Sequence, residues 1–268
     1  MIRLAVCGAA GRMGRLILAM AYAQRGHFEV RAAVDVPGNP LLGSPIGSFS
    51  EYKNTDVRLT DSLKSVLPDC DVVIDFSASE QSVKTAQECA QAGVAVVIGT
   101  TGLNAGQVAL LDEAAKSVPV VYAPNMSVGV NLLFKLAGMI AQMLDEDYDV
   151  EIVEAHHRFK KDAPSGTACR LAEIIAQARG VSLETHGNYG RKGMVGERKA
   201  GEIGIHTVRM GNVVGDHTVT FANLGERIEL THKAQSRETF ALGALKAARF
   251  IADKKSGRYD MQDVLGLR

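Results

Sequence analysis

Ile2-Arg-Leu-Ala-Val-Cys7, then Gly8-Ala-Ala-Gly11-Arg-Met-Gly14, then the run from Arg15 to Arg25 (RLILAMAYAQR) form the stretch that decides the fold. The first six residues are a short apolar run of strand type. The last eleven carry Leu16, Ala19, Met20 and Ala23 at the i, i+3, i+4, i+7 spacing of one helical face. Between them lies a glycine-rich turn. Glycines there let backbone N–H groups approach a pyrophosphate, whose charge then sits on the N-terminus of the helix. The spacing is GxxGxxG rather than GxGxxG, with Ala10 where the second glycine would stand. A lone string of this kind need be no more than a tight turn. Its context carries more: a second strand-like run, Phe28–Val34, ends at Asp35, an acidic side chain placed to accept from a ribose 2′-hydroxyl.

Outward from this unit the chain keeps alternating. Asp71–Phe76, Val94–Ile98 and Val118–Tyr122 read as strands, and Glu80–Ala92 (ended by Gly93) and Ala105–Ser117 as helices, with a weaker helix around Ser62–Leu67. Continuous Val and Ile runs fit strands covered on both faces, so a doubly wound parallel sheet of Rossmann type is expected over residues 1–126. The loops Gly99-Thr100-Thr101-Gly102 and Ala123-Pro124-Asn125-Met126 follow strands, and ligands bind beyond the carboxyl ends of strands in such sheets. After Pro124 the pattern changes. A long helix, Val130–Leu144, precedes strands that alternate apolar and polar residues (Asp149–Ala155, Gly204–Arg209, Asp216–Ala222, Arg227–Lys233), the mark of a mixed α/β domain over 127–235 with one sheet face solvated or docked. Thr185–Ile203, rich in Gly, Lys, Arg and Glu, reads as a mobile loop. Helical periodicity returns over 236–268, expected to rejoin the first domain.

Bulk properties narrow the function classes. Thirty basic residues balance thirty acidic ones among 268, which gives no electrostatic reason for a nucleic-acid or membrane partner. The N-terminal residues have no secretory h-region, and no window is apolar enough to span a bilayer. Cys7, Cys70, Cys89 and Cys169 show no CxxC spacing and read as buried, reduced thiols of a cytoplasmic protein.

The chemistry-bearing segment is EAHHRFKKDAPSGTA, residues 154–168. A strand ends at His156-His157, a basic loop carries Arg158, Lys160 and Lys161, and Pro164-Ser165-Gly166-Thr167 opens a helix. Histidine suits proton transfer near neutral pH, while lysines and free helix N–H groups suit carboxylates. Neighbouring residues of a strand point to opposite faces and no third ligand is near, so no metal site is expected.

These motifs, with GAAGRMG (8–14), DFS (75–77), GTTG (99–102), PNMSVGVN (124–131), RKGMVGER (191–198), GIHTVRMGNVVGDHTV (204–219) and YDMQDVL (259–265), closely resemble the 4-hydroxy-tetrahydrodipicolinate reductase (dihydrodipicolinate reductase) family across essentially the whole chain. The resemblance implies NAD(P)H-dependent reduction of a small cyclic dicarboxylate in the diaminopimelate route to lysine, and a homotetramer built by the inserted domain. It implies His156 as acid/base and Lys160 as proton donor, with His157, Gly166 and Thr167 on substrate carboxylates. Gly8, Ala9, Ala10, Gly11, Arg12, Met13, Asp35, Gly99, Thr100, Thr101, Ala123, Pro124, Asn125 and Met126 would line the dinucleotide. Val36 stands where many relatives carry Arg or Lys. With Asp35 opposing a 2′-phosphate and only Arg12 close enough to offset it, NADH is expected over NADPH. Two other functions fit these residues less well. A semialdehyde dehydrogenase would need a nucleophilic cysteine, and all four lie in predicted core or helical positions; a non-catalytic NAD sensor would have no use for the His-His-Lys cluster.

Overall fold

The computed structural model describes residues 1–53 and 55–268. In chain order the elements are β1 (Ile2–Cys7), α1 (Arg12–Ala23), β2 (Phe28–Val34), β3 (Leu59–Thr60), β4 (Val72–Asp75), α2 (Ser79–Ala92), β5 (Ala95–Ile98), α3 (Ala105–Ala114) and β6 (Pro119–Tyr122). There follow α4 (Val128–Met143), β7 (Asp149–His156), α5 (Gly166–Arg179), α6 (Leu183–His186), β8 (Gly187–Asn188), β9 (Ile203–Arg209), β10 (Gly215–Ala222) and β11 (Arg227–Ala234). The chain closes with α7 (Glu238–Ile251), β12 (Gly257–Tyr259) and α8 (Met261–Leu265). They form two compact units, Met1–Val128 with Arg237–Arg268, and Gly129–Ser236.

In the first unit seven parallel strands lie in the order β12-β6-β5-β4-β1-β2-β3. The chain runs outward from β1 in one direction through β2 and β3, then in the other through β4, β5, β6 and β12. This is the doubly wound arrangement, and its switch point lies at β1. Val72–Asp75 and Ala95–Ile98 are buried along their whole length because helices cover both faces of the sheet. One core cluster gathers α1, α7 and α8; a second gathers apolar residues of α2 and α3. Gly14 is fixed by packing: a Cβ there would lie 2.2 Å from the Gly8 carbonyl oxygen, so α1 rests directly on the turn before it.

The second unit holds a five-stranded mixed sheet, β11-β10-β7-β9-β8. β10 runs antiparallel to β7 and β11, while β9 is parallel to β7 and β8. Val150 and Ile152, Val219 and Phe221, and Ile203 and Ile205 turn to one face, where they pack with α4 and α5. The other face exposes Val153 (41%) and Val208 (38%).

Four local expectations change. Ser62–Leu67 is not an α-helix; the chain makes one hydrogen-bonded turn, with the Leu67 N–H donating to the Leu63 carbonyl at 3.2 Å, and then a 3-10 turn, Leu67–Asp69, since Pro68 has no N–H to continue an α-helical ladder. Thr185–Ile203 is not a structureless loop. It contains the end of α6 and β8, and Arg191 and Arg198 pair with Glu151, Glu202 and Asp149. Such long-range charge pairing leaves no trace in a periodicity. Cys169 is partly exposed, although the other three thiols are buried. The C-terminal segment adds a strand, β12, that its three residues were too short to reveal.

Candidate functional site

Two sites emerge, one in each unit. In the first unit a cavity of about 530 Å³ is lined by Gly8, Ala10, Gly11, Asp35, Val36 and Asp61, among others. A second, of about 440 Å³, is lined by Arg12, Met13, Gly99, Thr100, Thr101, Pro124, Asn125, Met126 and Phe240. The two share Phe76, Ser77 and Ala78, so they meet beneath the end of β4. The loops involved follow the carboxyl ends of β1, β2, β3, β4, β5 and β6, as ligand crevices of open α/β sheets do. Gly8 has φ +70°, and a Cβ would lie 2.9 Å from the Phe76 carbonyl; a side chain is excluded where the backbone must come close. This glycine cradle fits an extended dinucleotide.

Not every sequence candidate lines the crevice. Ala9 is buried and its N–H donates to the Val34 carbonyl at 3.1 Å; Ala123 is buried and its N–H donates to the Ile98 carbonyl at 3.2 Å. Both fasten the loops rather than face the cavity. Asp35 faces it while bracing the turn: its carboxylate accepts from the Ala10 and Val36 N–H groups, each at 2.9 Å. A carboxylate has about four lone-pair sites, so acceptor capacity remains for a ribose. Arg12 lies with Gly99 and Asn125, not with Asp35. Among the described residues the cation lining the Asp35 cavity is Lys84, on α2, accompanied by Glu88. The guanidinium expected near the ribose is therefore in the other cavity, because Gly11 ends the turn and α1 carries Arg12 away.

The DFS motif has a structural basis. The Asp75 carboxylate is fully buried and accepts from the Ser77 N–H (2.9 Å) and from the hydroxyls of Ser77 (2.7 Å), Ser82 (2.7 Å), Thr85 (2.6 Å) and Thr100 (3.2 Å). This ties β4, α2 and the Gly99–Gly102 loop to one acceptor. The Phe76 ring lies against Gly99, where a Cβ would be 2.1 Å from it.

In the second unit β7 ends at His156. Alternation puts Ile152, Glu154 and His156 on the helix-covered face. Glu154, with 0% of its side chain exposed, receives Arg209 Nη1 on both oxygens at 3.0 Å, the Ser165 N–H at 3.1 Å, and makes a 2.5 Å contact with His156 Nδ1. The partners come from neighbouring strands: Arg209 of β9 lies opposite His156, and His217 of β10 opposite Glu154. Burial alone would raise the Glu154 pKa, yet its bonds with His156 and Arg209 hold it below the ordinary carboxylate value. Burial lowers His156; Glu154 opposes that shift, while Lys160 and Arg209 add to it, and the net direction is down. His217, buried and within 3.2 Å of Ser165 Oγ, is pushed down to about 3, chiefly by burial.

Lys160 pairs with Asp162 at 2.8 Å, and Arg209 Nη2 donates to the Asp162 carbonyl at 2.6 Å, so the basic loop folds over the end of β7. Ser165 caps α5, its Oγ accepting from the Ala168 N–H at 3.2 Å, and Gly166 and Thr167 form the first turn of that helix. Nothing lies within 4 Å of a Cβ built on Gly166. The Nδ1 of His157 is buried without a hydrogen-bond partner. Arg209, His217 and Ser165 were not singled out by sequence, and Glu154 stood in the motif without a role. The alternating pattern could have put Glu154 beside His156, but not the contributions of strands more than 50 residues on. No group of His, Cys, Asp and Glu suited to a metal occurs among the described residues.

The model of the N-terminal domain of dihydrodipicolinate reductase matches residues 2–126, and that of its C-terminal domain matches residues 129–265. A 4-hydroxy-tetrahydrodipicolinate reductase of Dechloromonas aromatica is 52% identical over 266 residues, covering 99% of this chain and 98% of the relative. That of Citrifermentans bemidjiense is 48% identical over 268 residues, all of both chains. Among solved structures, a dipicolinate-bound dihydrodipicolinate reductase from a Paenisporosarcina species aligns with a TM-score of 0.77 at 26% identity, covering 98% of each chain.

Proposed function

Because this chain belongs to the dihydrodipicolinate reductase family and is an oxidoreductase that reduces 4-hydroxy-tetrahydrodipicolinate, we propose that its two units divide the work as their chemistry suggests. The first unit binds a nicotinamide dinucleotide along the crevice from Asp35 to Asn125. When bound, that group supplies the hydride. Gly8, Ala10 and Gly11 admit the pyrophosphate, and Asp75 holds Thr100 at the far end. In the second unit the N–H groups of Gly166 and Thr167, with His157, hold the substrate carboxylates. Lys160, whose ammonium has three donors, gives a proton, and His156 acts as acid/base. The observation that carries this reading is the contact of His156 with the buried Glu154 carboxylate, beside Lys160 at the mouth of a capped helix.

Replacing His156 or Lys160 by Ala lowers turnover by about 10²–10⁴-fold, the range for a positioned acid or base. NADH affinity stays unchanged. The assay follows NADH absorbance with substrate made in situ from aspartate semialdehyde and pyruvate by the preceding synthase. Wild-type turnover in both variants removes the assignment.

NADH is the preferred cofactor on this reading. Asp35, Asp61 and Glu88 line the ribose cavity, and among the described residues Lys84 is the cation facing them there, a poor setting for a 2′-phosphate. The outer face and the edge strand β11 of the second sheet support a closed homotetramer. Four free thiols suit the reducing cytoplasm.

A further inference from the structure

We propose that Glu154 is the positioning residue of the proton-transfer site: it holds His156 as the Nδ1–H tautomer, making Nε2 the nitrogen that exchanges a proton with the substrate. This rests on the reading of His156 as the acid/base group, and it names the atom through which that group works.

The argument begins with what Glu154 can be. Arg209 Nη1 lies 3.0 Å from each of its oxygens and the Ser165 N–H donates to it as well, so the carboxylate is ionised and can only accept. A 2.5 Å contact between that acceptor and His156 Nδ1 requires the hydrogen on Nδ1. In the neutral ring Nε2 is then the lone-pair nitrogen, and in the imidazolium it is the acid. A buried carboxylate fixing the far nitrogen of a working imidazole acts as the aspartate of a hydrolytic triad does: it selects the tautomer and steadies the charged ring without taking the proton.

The surroundings of Nε2 agree. The residue opposite His156 on β10 is Gly215, and a Cβ built there would lie 3.1 Å from Nε2. Any larger residue would press on the nitrogen that must reach substrate. His217, the other imidazole nearby (ring centroids 5.2 Å apart, edge on), is engaged with Ser165 Oγ and stays neutral, so it does not compete for the proton.

The charges facing the ring set how strong an acid it is. Glu154 on β7 raises its pKa; Arg209 on β9, Lys160 of the loop and burial lower it; Asp162 is spent on Lys160, and His217 on β10 is neutral. Arg209 thus balances Glu154, which orients His156 without leaving the imidazolium too stable to give up its proton.

The test uses the full-length protein and two readouts. In wild type carrying ¹⁵N-histidine, long-range ¹H–¹⁵N correlation above the His156 pKa shows the hydrogen on Nδ1; the resonance is assigned with His156→Gln. In Glu154→Gln the His156 pKa falls and the descending limb of the kcat/KM profile moves to lower pH by about one unit or more, the effect of losing an adjacent opposite charge. kcat falls at least about tenfold while KM for NADH holds. A wild-type Nε2–H tautomer overturns the proposal, as does a folded Glu154→Gln enzyme whose profile has not moved, which would mark a structural role only. If that variant does not fold, the wild-type tautomer decides alone. Retained turnover in His156→Ala would instead overturn the acid/base reading and leave the tautomer assignment standing, so the two failures are distinct.

Discussion

Asp35 and Val36 are neighbours with separate duties. The place of Asp35 was legible because it is local: a carboxylate closing the second strand after a glycine-rich turn stands at the cavity that the turn lines. Its service to the turn itself, through the Ala10 N–H, was not, since backbone partners leave no mark in the sequence. Val36 is 52% exposed beside it and pairs with nothing charged, so it tolerates replacement. Val36→Arg shifts the ratio of kcat/KM for NADPH over NADH upward by about tenfold, or 1.4 kcal/mol. Measured ratios for both proteins check this, and a wild type favouring NADPH by that factor or more removes the electrostatic reading of Asp35. Glu154 was in plain view within its motif, yet without Arg209 from a strand 55 residues later nothing distinguished it from a solvated strand residue.

Among elements, strands of the first unit announced themselves as apolar runs because both faces are covered, and those of the second because only one is. What escaped were β3, β8 and β12, none longer than three residues, and the cross-strand polar cluster on β7, β9 and β10. That cluster has a measurable consequence for stability. Unfolded His217 takes up a proton near 6.5, whereas the folded residue resists it down to about 3. Between those values the unfolded state holds more protons, so stability is present above about 6.5 and lost as pH falls, by up to about 1.4 kcal/mol per pH unit for this one group. His156 and His232 are shifted the same way and add to the slope. Urea midpoints measured from pH 7 to pH 5 therefore decline, and His217→Gln flattens the decline by about one proton's worth. An equal slope in the variant would show that His217 is not held neutral.

For the molecule as a whole, no helix among the described residues is long and apolar enough to cross a membrane, and the charges balance. What is left uncovered is the outward sheet face of the second unit, with Val153, Val208 and the edge strand β11. Light scattering at micromolar concentration gives the mass of a tetramer; a monomer would rule out self-association through that face. The first unit is not contiguous in the chain: α7, β12 and α8 complete its sheet and core after the second unit has been made. Ala241, Ala244, Leu245, Ala248 and Ile251 cover the apolar surface that α1 shares, and β12 pairs with the outer side of β6. On the ribosome this has an order of events built into it. The first 128 residues emerge with one flank of their sheet bare and β6 as an unpaired rim. The residues of the inserted unit, Gly129–Ser236, are consecutive, so its contacts need nothing made after it. The crevice that takes Phe240 as part of its wall is therefore complete only once α7, which follows the inserted unit in the chain, has packed onto the first unit, and until then the apolar surface that α7 covers stays open to unwanted association.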